Sequence, residues 1–424
     1  MSIAIGFALI VFFALGVPIA ISIIIASFIG IEFFSNLPLL LIAQRMVTGI
    51  NSFPLLAIPF FILAGNLMSA GGISKRLVDL AKSIVGGFQG GLAMSCVVTC
   101  MMFAAVSGSS IATTFAIGSI LIPAMVKHGY PRPVAASVQA SSAELGVLIP
   151  PSIPLILFGV STETSIGQLF IAGIGPGLLI AVALIIFVYC YCKIKGYGLN
   201  DKDDSLSFVS ALKGSLIPLL MPVIVVGGIY GGVFTPTEAS AVAVVFALVI
   251  GCFVYKELSF KTLTDVLKKS VISSCTVMMI IAAASLFSFL LSRSGFSADL
   301  AEWVTETFSN KYTFLIAINI VLLIVGMFVE TASAILVLAP ILTPIAIYFG
   351  VDPVHFGLIM VTNLALGMFT PPLGVNLFAA CSVAKVSVDQ ILPSLLKFVI
   401  VIWFCLMAIT YIPSITLFLR DAVY

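Results

Sequence analysis

Long apolar runs, interrupted by short polar clusters, organise this chain. Residues 3–31, 53–70, 165–192, 214–232, 239–255, 270–292 and 391–419 each form a run suited to crossing a hydrocarbon core of about 30 Å as a helix. Two further runs are too long for one crossing. Residues 83–126 contain no charged side chain, and as one helix they would measure about 66 Å. The pattern therefore predicts a re-entrant hairpin that turns at Ser107-Gly108-Ser109-Ser110. Residues 312–351 predict a second hairpin, with Glu330 as the one charge near its middle. A proline-broken run follows each hairpin: 133–161, interrupted at Pro150-Pro151, and 353–384, interrupted at Phe369-Thr370-Pro371-Pro372-Leu373-Gly374. Proline removes a backbone donor and clashes with the preceding turn. The freed carbonyls are tolerable at membrane depth only where protein, water or an ion satisfies them.

The two hairpin-plus-break units share a register. At an offset of 221 residues Pro123 falls on Pro344, Gly129 on Gly350, Gly146 on Gly367, and Pro150-Pro151 on Pro371-Pro372. Their flanks differ in charge. Segments 71–90 and 127–133 hold five Lys/Arg and one acid, whereas 292–311 and 350–355 hold two Lys/Arg and four acids. The positive-inside rule then brings the first hairpin in from the cytoplasm and the second from outside, which makes the repeats inverted. The same rule places the lysine-rich stretch 256–269 in a cytoplasmic loop. The expected class is an all-α polytopic membrane protein of two inverted repeats, each with a re-entrant helical hairpin and a broken transmembrane helix.

The expected layout is arm helices at 1–82, hairpin and broken helix at 83–164, scaffold helices at 165–311, the second hairpin and broken helix at 312–388, and a C-terminal helix at 389–424. Residues 32–51, with Arg45, suit an interfacial helix, and Lys75, Arg76, Asp79 and Lys82 mark an exposed amphipathic one. The polar loop 193–213, carrying Asp201, Lys202, Asp203 and Asp204, is the expected boundary between halves.

Composition narrows the function. Of 424 residues 61% are hydrophobic and 8% charged, so the chain lacks the polar surface of a soluble protein. A net charge of +2 gives no case for nucleic-acid binding. The eight cysteines lie in or beside apolar runs without metal-ligand spacing and read as packing residues. His128 and His355 are the only histidines and stand at loop edges, and no nucleophile–base pair or metal triad appears, which disfavours a membrane-embedded enzyme. The N-terminus lacks a basic stretch and a small-residue cleavage site, so residues 3–31 read as a retained span.

The run Gly232-Val233-Phe234-Thr235-Pro236-Thr237-Glu238-Ala239 resembles a diagnostic segment of the large membrane (M) subunit of TRAP transporters, the tripartite ATP-independent periplasmic carriers. Gly16-Val17-Pro18-Ile19-Ala20, Ile58-Pro59-Phe60-Phe61-Ile62-Leu63-Ala64-Gly65, Ser107-Gly108-Ser109-Ser110-Ile111-Ala112 and Leu148-Ile149-Pro150-Pro151-Ser152 agree with it in order along the chain. The resemblance implies a bacterial inner-membrane carrier that moves an organic acid inward with sodium by an elevator-type movement. It also implies a separate small four-helix membrane (Q) subunit and a soluble periplasmic substrate-binding (P) protein. Sialic acid and C4-dicarboxylates are the substrate classes it suggests, with a slight lean to sialic acid. A stand-alone sodium/anion symporter is the alternative within transport.

Sodium is a hard cation that takes oxygen ligands, and broken helices supply them. The first set of candidates is Ser107, Ser109, Gly146, Ile149 and Pro151. The repeat puts the second at Phe328, Glu330, Gly367, Thr370 and Pro372, through backbone carbonyls where side chains cannot ligate. Glu330 stands where the first repeat has Ser109, and two roles are open to it: neutralising a sodium ion or relaying a proton. Glu144, a second deeply placed acid, is expected either to bond hairpin backbone or to take part in coupling. A carboxylate solute belongs between the positive helix ends at Ser110 and Thr331, within reach of Ser152, Asn363 and Asn376. Arg293, at a span end, is expected to meet the binding protein or substrate, or to anchor its helix. Glu238 is expected to cap a helix from Thr235 or Thr237.

Overall fold

A computed structural model of the chain describes residues 1–199, 207–308 and 310–424. Asp201, Lys202, Asp203 and Asp204 of the expected inter-repeat boundary lie outside the described residues. Among the described residues the fold is helical, and nine helices are long and apolar enough to cross a membrane.

The first apolar run is two helices, not one. Helix α1 (Ser2–Ala14) ends before Gly16, which takes φ +74°, and Pro18 leads into α2 (Ile19–Phe34). The pair folds back on itself with Ile5 of α1 packed against Gly30 of α2. Helix α3 (Leu40–Ile50) is the expected amphipathic element: none of its residues is buried, and Arg45 lies 3.7 Å over the Phe289 ring. A short 3-10 turn and α4 (Ala57–Ala70) make the next span, and α5 (Ile73–Val85) is amphipathic as expected.

Both hairpins form where the lengths required. The first is α6 (Gly91–Ser107) and α7 (Ser110–Lys127). The broken helix after it is α8 (Arg132–Ala143), a 3-10 turn over Glu144–Val147, and α9 (Ile153–Thr162). Five helices follow: α10 (Ile166–Lys195), α11 (Phe208–Tyr230), α12 (Pro236–Val249), α13 (Phe260–Arg293) and α14 (Phe296–Thr307). The expected loop 256–269 is largely the start of α13. That helix runs 34 residues because Ser259 caps it and its lysines stand on an exposed first stretch. The second hairpin is α15 (Lys311–Phe328) and α16 (Thr331–Tyr348), and its broken helix is α17 (Pro353–Met368) and α18 (Val375–Ala384). The C-terminal run, expected as one helix, is divided at Pro413 into α19 (Val388–Tyr411) and α20 (Ser414–Val423).

Helix α16 has the same bounds as α7 at the 221 offset, and both second arms are 18 residues long. The packing repeats too. The first arm of each hairpin lies on the first half of its own broken helix (α6 on α8, α15 on α17). The second arm lies on the second half of the other one (α7 on α18, α16 on α9). Every residue from Val354 to Met368 is buried, the polar His355, Thr362 and Asn363 among them, so α17 is central.

Two terminal devices are clear. Glu238 and Thr235 form a capping box at the start of α12: the Thr235 backbone N–H donates to the Glu238 carboxylate at 2.8 Å, and the Glu238 N–H to the Thr235 hydroxyl at 3.3 Å. Arg420 of α20 pairs with Asp352, the cap of α17, at 2.6 Å. Burial alone would raise the Asp352 carboxyl. The hydrogen bond from Arg420, with those from the His355 and Val354 N–H groups, holds it below its ordinary value. Arg420→Ala should lower stability by about 1 kcal/mol or less, as befits a partly exposed pair. Because the folded pKa is depressed, that difference is fully present at neutral pH. It is lost as pH falls through the folded value, and melting curves of the two proteins at a series of pH values check this.

Candidate functional site

The site grows from the two helix breaks. In the first repeat the hairpin turns through Gly108 at φ +61°, and the Gly108 carbonyl accepts a hydrogen bond from the Ile153 N–H at 3.3 Å, just beyond Pro150-Pro151. The tip is thereby tied to the break. A Cβ on Gly108 would fall 2.6 Å from the Pro151 carbonyl oxygen. Gly65 of α4 backs the same turn: a Cβ there would fall 3.2 Å from the Ser107 Cα, so the last residue of the Ile-Pro-Phe-Phe run is small where the hairpin tip closes.

Oxygen atoms gather beside Gly146. The Thr113 hydroxyl donates to the Ser109 carbonyl at 2.8 Å, which leaves the Ser107 hydroxyl, 3.0 Å away, to donate to Thr113. A Cβ on Gly146 would lie 2.9 Å from both the Ser109 carbonyl oxygen and the Thr113 hydroxyl. Ser107, Ser109 and Gly146 are thus brought together, as expected. Pro151 is buried alongside the turn, and the Ile149 side chain packs against Gly177. Thr113 was not among the expected residues. Its signal was its place one turn after Ser109, where its hydroxyl returns to the i−4 carbonyl.

The second crossing is built differently. Gly367 lies against the end of α15, where a Cβ would fall 2.4 Å from the Gly326 carbonyl carbon. The Thr370 hydroxyl donates to the Leu366 carbonyl at 2.6 Å, and its N–H to the Gly367 carbonyl at 2.9 Å. Phe328 and Pro372 are exposed. Glu330 is the N-cap of α16 and accepts from the Ser333 N–H at 3.3 Å, as Ser109 caps α7 by accepting from the Ala112 N–H at 3.4 Å. The two residues matched by the repeat therefore have the same local work, and one of them carries a charge.

The helix starts at Ser110 and Thr331 converge on one atom. Their hydroxyls reach the Met368 sulfur at 3.9 Å and 2.7 Å. Met368, the last residue of α17, joins the two tips and was not foreseen. The other expected substrate residues are committed elsewhere. Ser152 is buried, donates to the Val147 carbonyl at 2.5 Å and caps α9. The Asn363 amide donates to the Asn319 side chain at 2.7 Å. Asn376 is buried and donates to Glu144 at 2.7 Å, while its amide oxygen accepts from the Thr114 hydroxyl. Glu144, 2% exposed, therefore meets a side chain of the opposite repeat, not hairpin backbone. Arg293 stands exposed in the last turn of α13.

Gly108→Ala combines a positive φ with a clash against backbone and should destabilise the protein by about 2 kcal/mol or more. Gly87→Ala, with nothing within 4 Å of its Cβ, should not. Melting temperatures of the two purified variants decide this.

Relatives of known name share this layout. The chain is 44% identical over 408 residues to the isethionate TRAP transporter permease protein DctMQ of Oleidesulfovibrio alaskensis; the match covers 96% of this chain and 64% of that longer protein. It is 39% identical to the C4-dicarboxylate TRAP transporter large permease protein DctM of Rhodobacter capsulatus, over 96% of each chain. The sialic acid TRAP transporter large permease protein SiaM of Vibrio cholerae is 35% identical, over 96% and 95%. A crystal structure of the YdaH transporter of Alcanivorax borkumensis shares the fold at a TM-score of 0.65 and 13% identity, covering 90% of this chain and 88% of that one. Residues 7–415 match the family model of the tripartite ATP-independent periplasmic transporter, DctM component, and the chain belongs to that family of multi-pass membrane permeases.

Proposed function

We propose that this chain is the large permease subunit of a binding-protein-dependent carrier in the bacterial inner membrane, taking up a small organic anion with sodium. One observation carries the ion coupling: the Ser107 and Thr113 hydroxyls and the Ser109 carbonyl converge beside a glycine at a helix break. Neutral oxygens in a low-dielectric surrounding suit a hard monovalent cation. The second ion belongs at Gly367 and Thr370 with Glu330. A carboxylate capping α16 cancels the positive helix end that an anionic solute needs, and a sodium ion beside it restores that attraction. This favours the ion-neutralising role of Glu330 over proton relay.

The solute lies between Ser110 and Thr331, where Met368 now sits, held by helix dipoles and hydroxyls. Relatives named for isethionate and C4-dicarboxylates are more similar to this chain than the one named for sialic acid, which shifts the substrate from sialic acid toward a smaller acid. The inverted orientation of the repeats and the crosswise packing of hairpins on broken helices suit a transport unit that moves as one body against the scaffold, in an elevator manner. A small four-helix membrane subunit and a soluble periplasmic binding protein complete the assembly.

Uptake into proteoliposomes holding this chain with its small subunit tests the reading. Labelled succinate, isethionate and sialic acid are offered in turn, with purified binding protein and an imposed sodium gradient. The expected result is uptake of a small acid that needs both gradient and binding protein. Equal uptake from a potassium gradient would overturn sodium coupling. Gly146→Ala, which puts a methyl group 2.9 Å from the Ser109 carbonyl oxygen, should raise the half-saturating sodium concentration about tenfold or more, and sodium titration of uptake checks it.

A further inference from the structure

Glu144 is the most unusual side chain in the protein interior. It is 2% exposed, one carboxylate oxygen accepts from Asn376 at 2.7 Å, and the other has no hydrogen-bond partner. Among the described residues no ion pair compensates it. The elements packed on its 3-10 turn are α6, α7, α8, α9, α10 and α17. Helices α6 and α9 carry no charged residue, and Lys127, Arg132, Lys193, Lys195 and His355 stand at the ends of the others. Arg132 is twelve positions up its helix, about 18 Å away. A buried acid without a counter-charge is expensive, so its role is to be sought in the one bond it makes.

That bond crosses the repeats. Asn376 is the second residue of α18, immediately after the second helix break. Besides Glu144 its amide group donates to the Ala140 carbonyl at 3.3 Å, and its amide oxygen accepts from Thr114. Thr114 directly follows Thr113, and Glu144 stands two residues before Gly146, so both partners adjoin the oxygen cluster of the first hairpin. One asparagine from the second repeat thus grips the first ion crossing on both sides.

We propose that Glu144, Asn376 and Thr114 form a positioning clasp by which occupation of the first ion crossing sets the position of the second broken helix. The clasp works by hydrogen-bond acceptance and not by charge: only one carboxylate oxygen is engaged, and an amide oxygen can take its place. This rests on the sodium-coupled reading given above. Neither Glu144 nor Asn376 touches the solute in this scheme.

The test uses the complete permease in lipid nanodiscs and in proteoliposomes, with sodium ion itself as the probe and potassium as control. Two readouts are taken: the rise in melting temperature with sodium, which needs no transport, and the sodium dependence of uptake. Glu144→Ala should raise the half-saturating sodium about tenfold in both, the loss expected for one buried hydrogen bond. The solute KM at saturating sodium should stay within about twofold of wild type, and Glu144→Gln should restore sodium dependence to within about twofold. Thr114→Val, which leaves the carboxyl in place, should shift sodium the same way by about threefold, and it carries the test should Glu144→Ala fail to fold. Unchanged sodium dependence in Glu144→Ala or in Thr114→Val overturns the clasp. So does a Glu144→Gln protein as impaired as Glu144→Ala, since charge would then be what matters. A wild-type protein indifferent to sodium in both readouts overturns the ion coupling beneath it, a result separable from the failure of the clasp alone.

Discussion

Unpaired backbone at membrane depth is the constraint from which this architecture follows. Two Pro-Pro breaks deprive their helices of donors inside a medium that offers no water. Each break must therefore be covered, and the hairpin of the same repeat does the covering, through Gly108 and Thr113 at the first break and Gly326 at the second. Beyond the breaks the packing turns crosswise: α7 lies on α18 and α16 on α9, so each repeat holds the second half of the other's broken helix. The glycines at the crossings, Gly108, Gly146 and Gly367, allow backbone to approach backbone there. The buried α17 sits where these layers meet.

Within this near-symmetry the two crossings are unequal. The first is tied shut, through the Ile153 bond to Gly108 and the Ser107 and Thr113 hydroxyls that lead to the Ser109 carbonyl. At the second, Phe328 and Pro372 are exposed. The caps differ in kind as well. Ser109 is a neutral acceptor, whereas Glu330 brings a negative charge to the same relative place. The two crossings are thus built on one plan but with different charge.

Much of this was legible in the residues because bilayer thickness is a ruler. Runs of 44 and 40 residues with at most one charge had to fold back, and α7 and α16 turn where Ser107–Ser110 and Glu330 marked them. Proline pairs announced the breaks. The failures have one physical origin, that hydropathy averages over short interruptions. Gly16 and Pro18 divide the first run and Pro413 the last, yet neither change lowers the local apolarity. The charged start of α13 failed in the opposite sense, since exposed lysines are compatible with a helix that emerges from the membrane. Long-range side-chain meetings left no trace in the pattern. Met368 touches Ser110 at a separation of 258 residues, and Asn376 finds Glu144 at 232. An asparagine beside a helix break has the same appearance whether it faces solute or a buried acid.

Crosswise packing also has a consequence for biosynthesis. The helix that packs on the second half of the first broken helix, α16, begins 221 residues after the start of α7. At a synthesis rate of about 5–20 residues per second, the first hairpin waits on the order of ten to forty seconds for it. Through that interval the nascent half-protein lacks the partner of α9 and leaves that face to lipid or to whatever attends it in the membrane. Insertion of this chain is therefore a long-range assembly problem, in which the first half is held in an incomplete state until the second arrives.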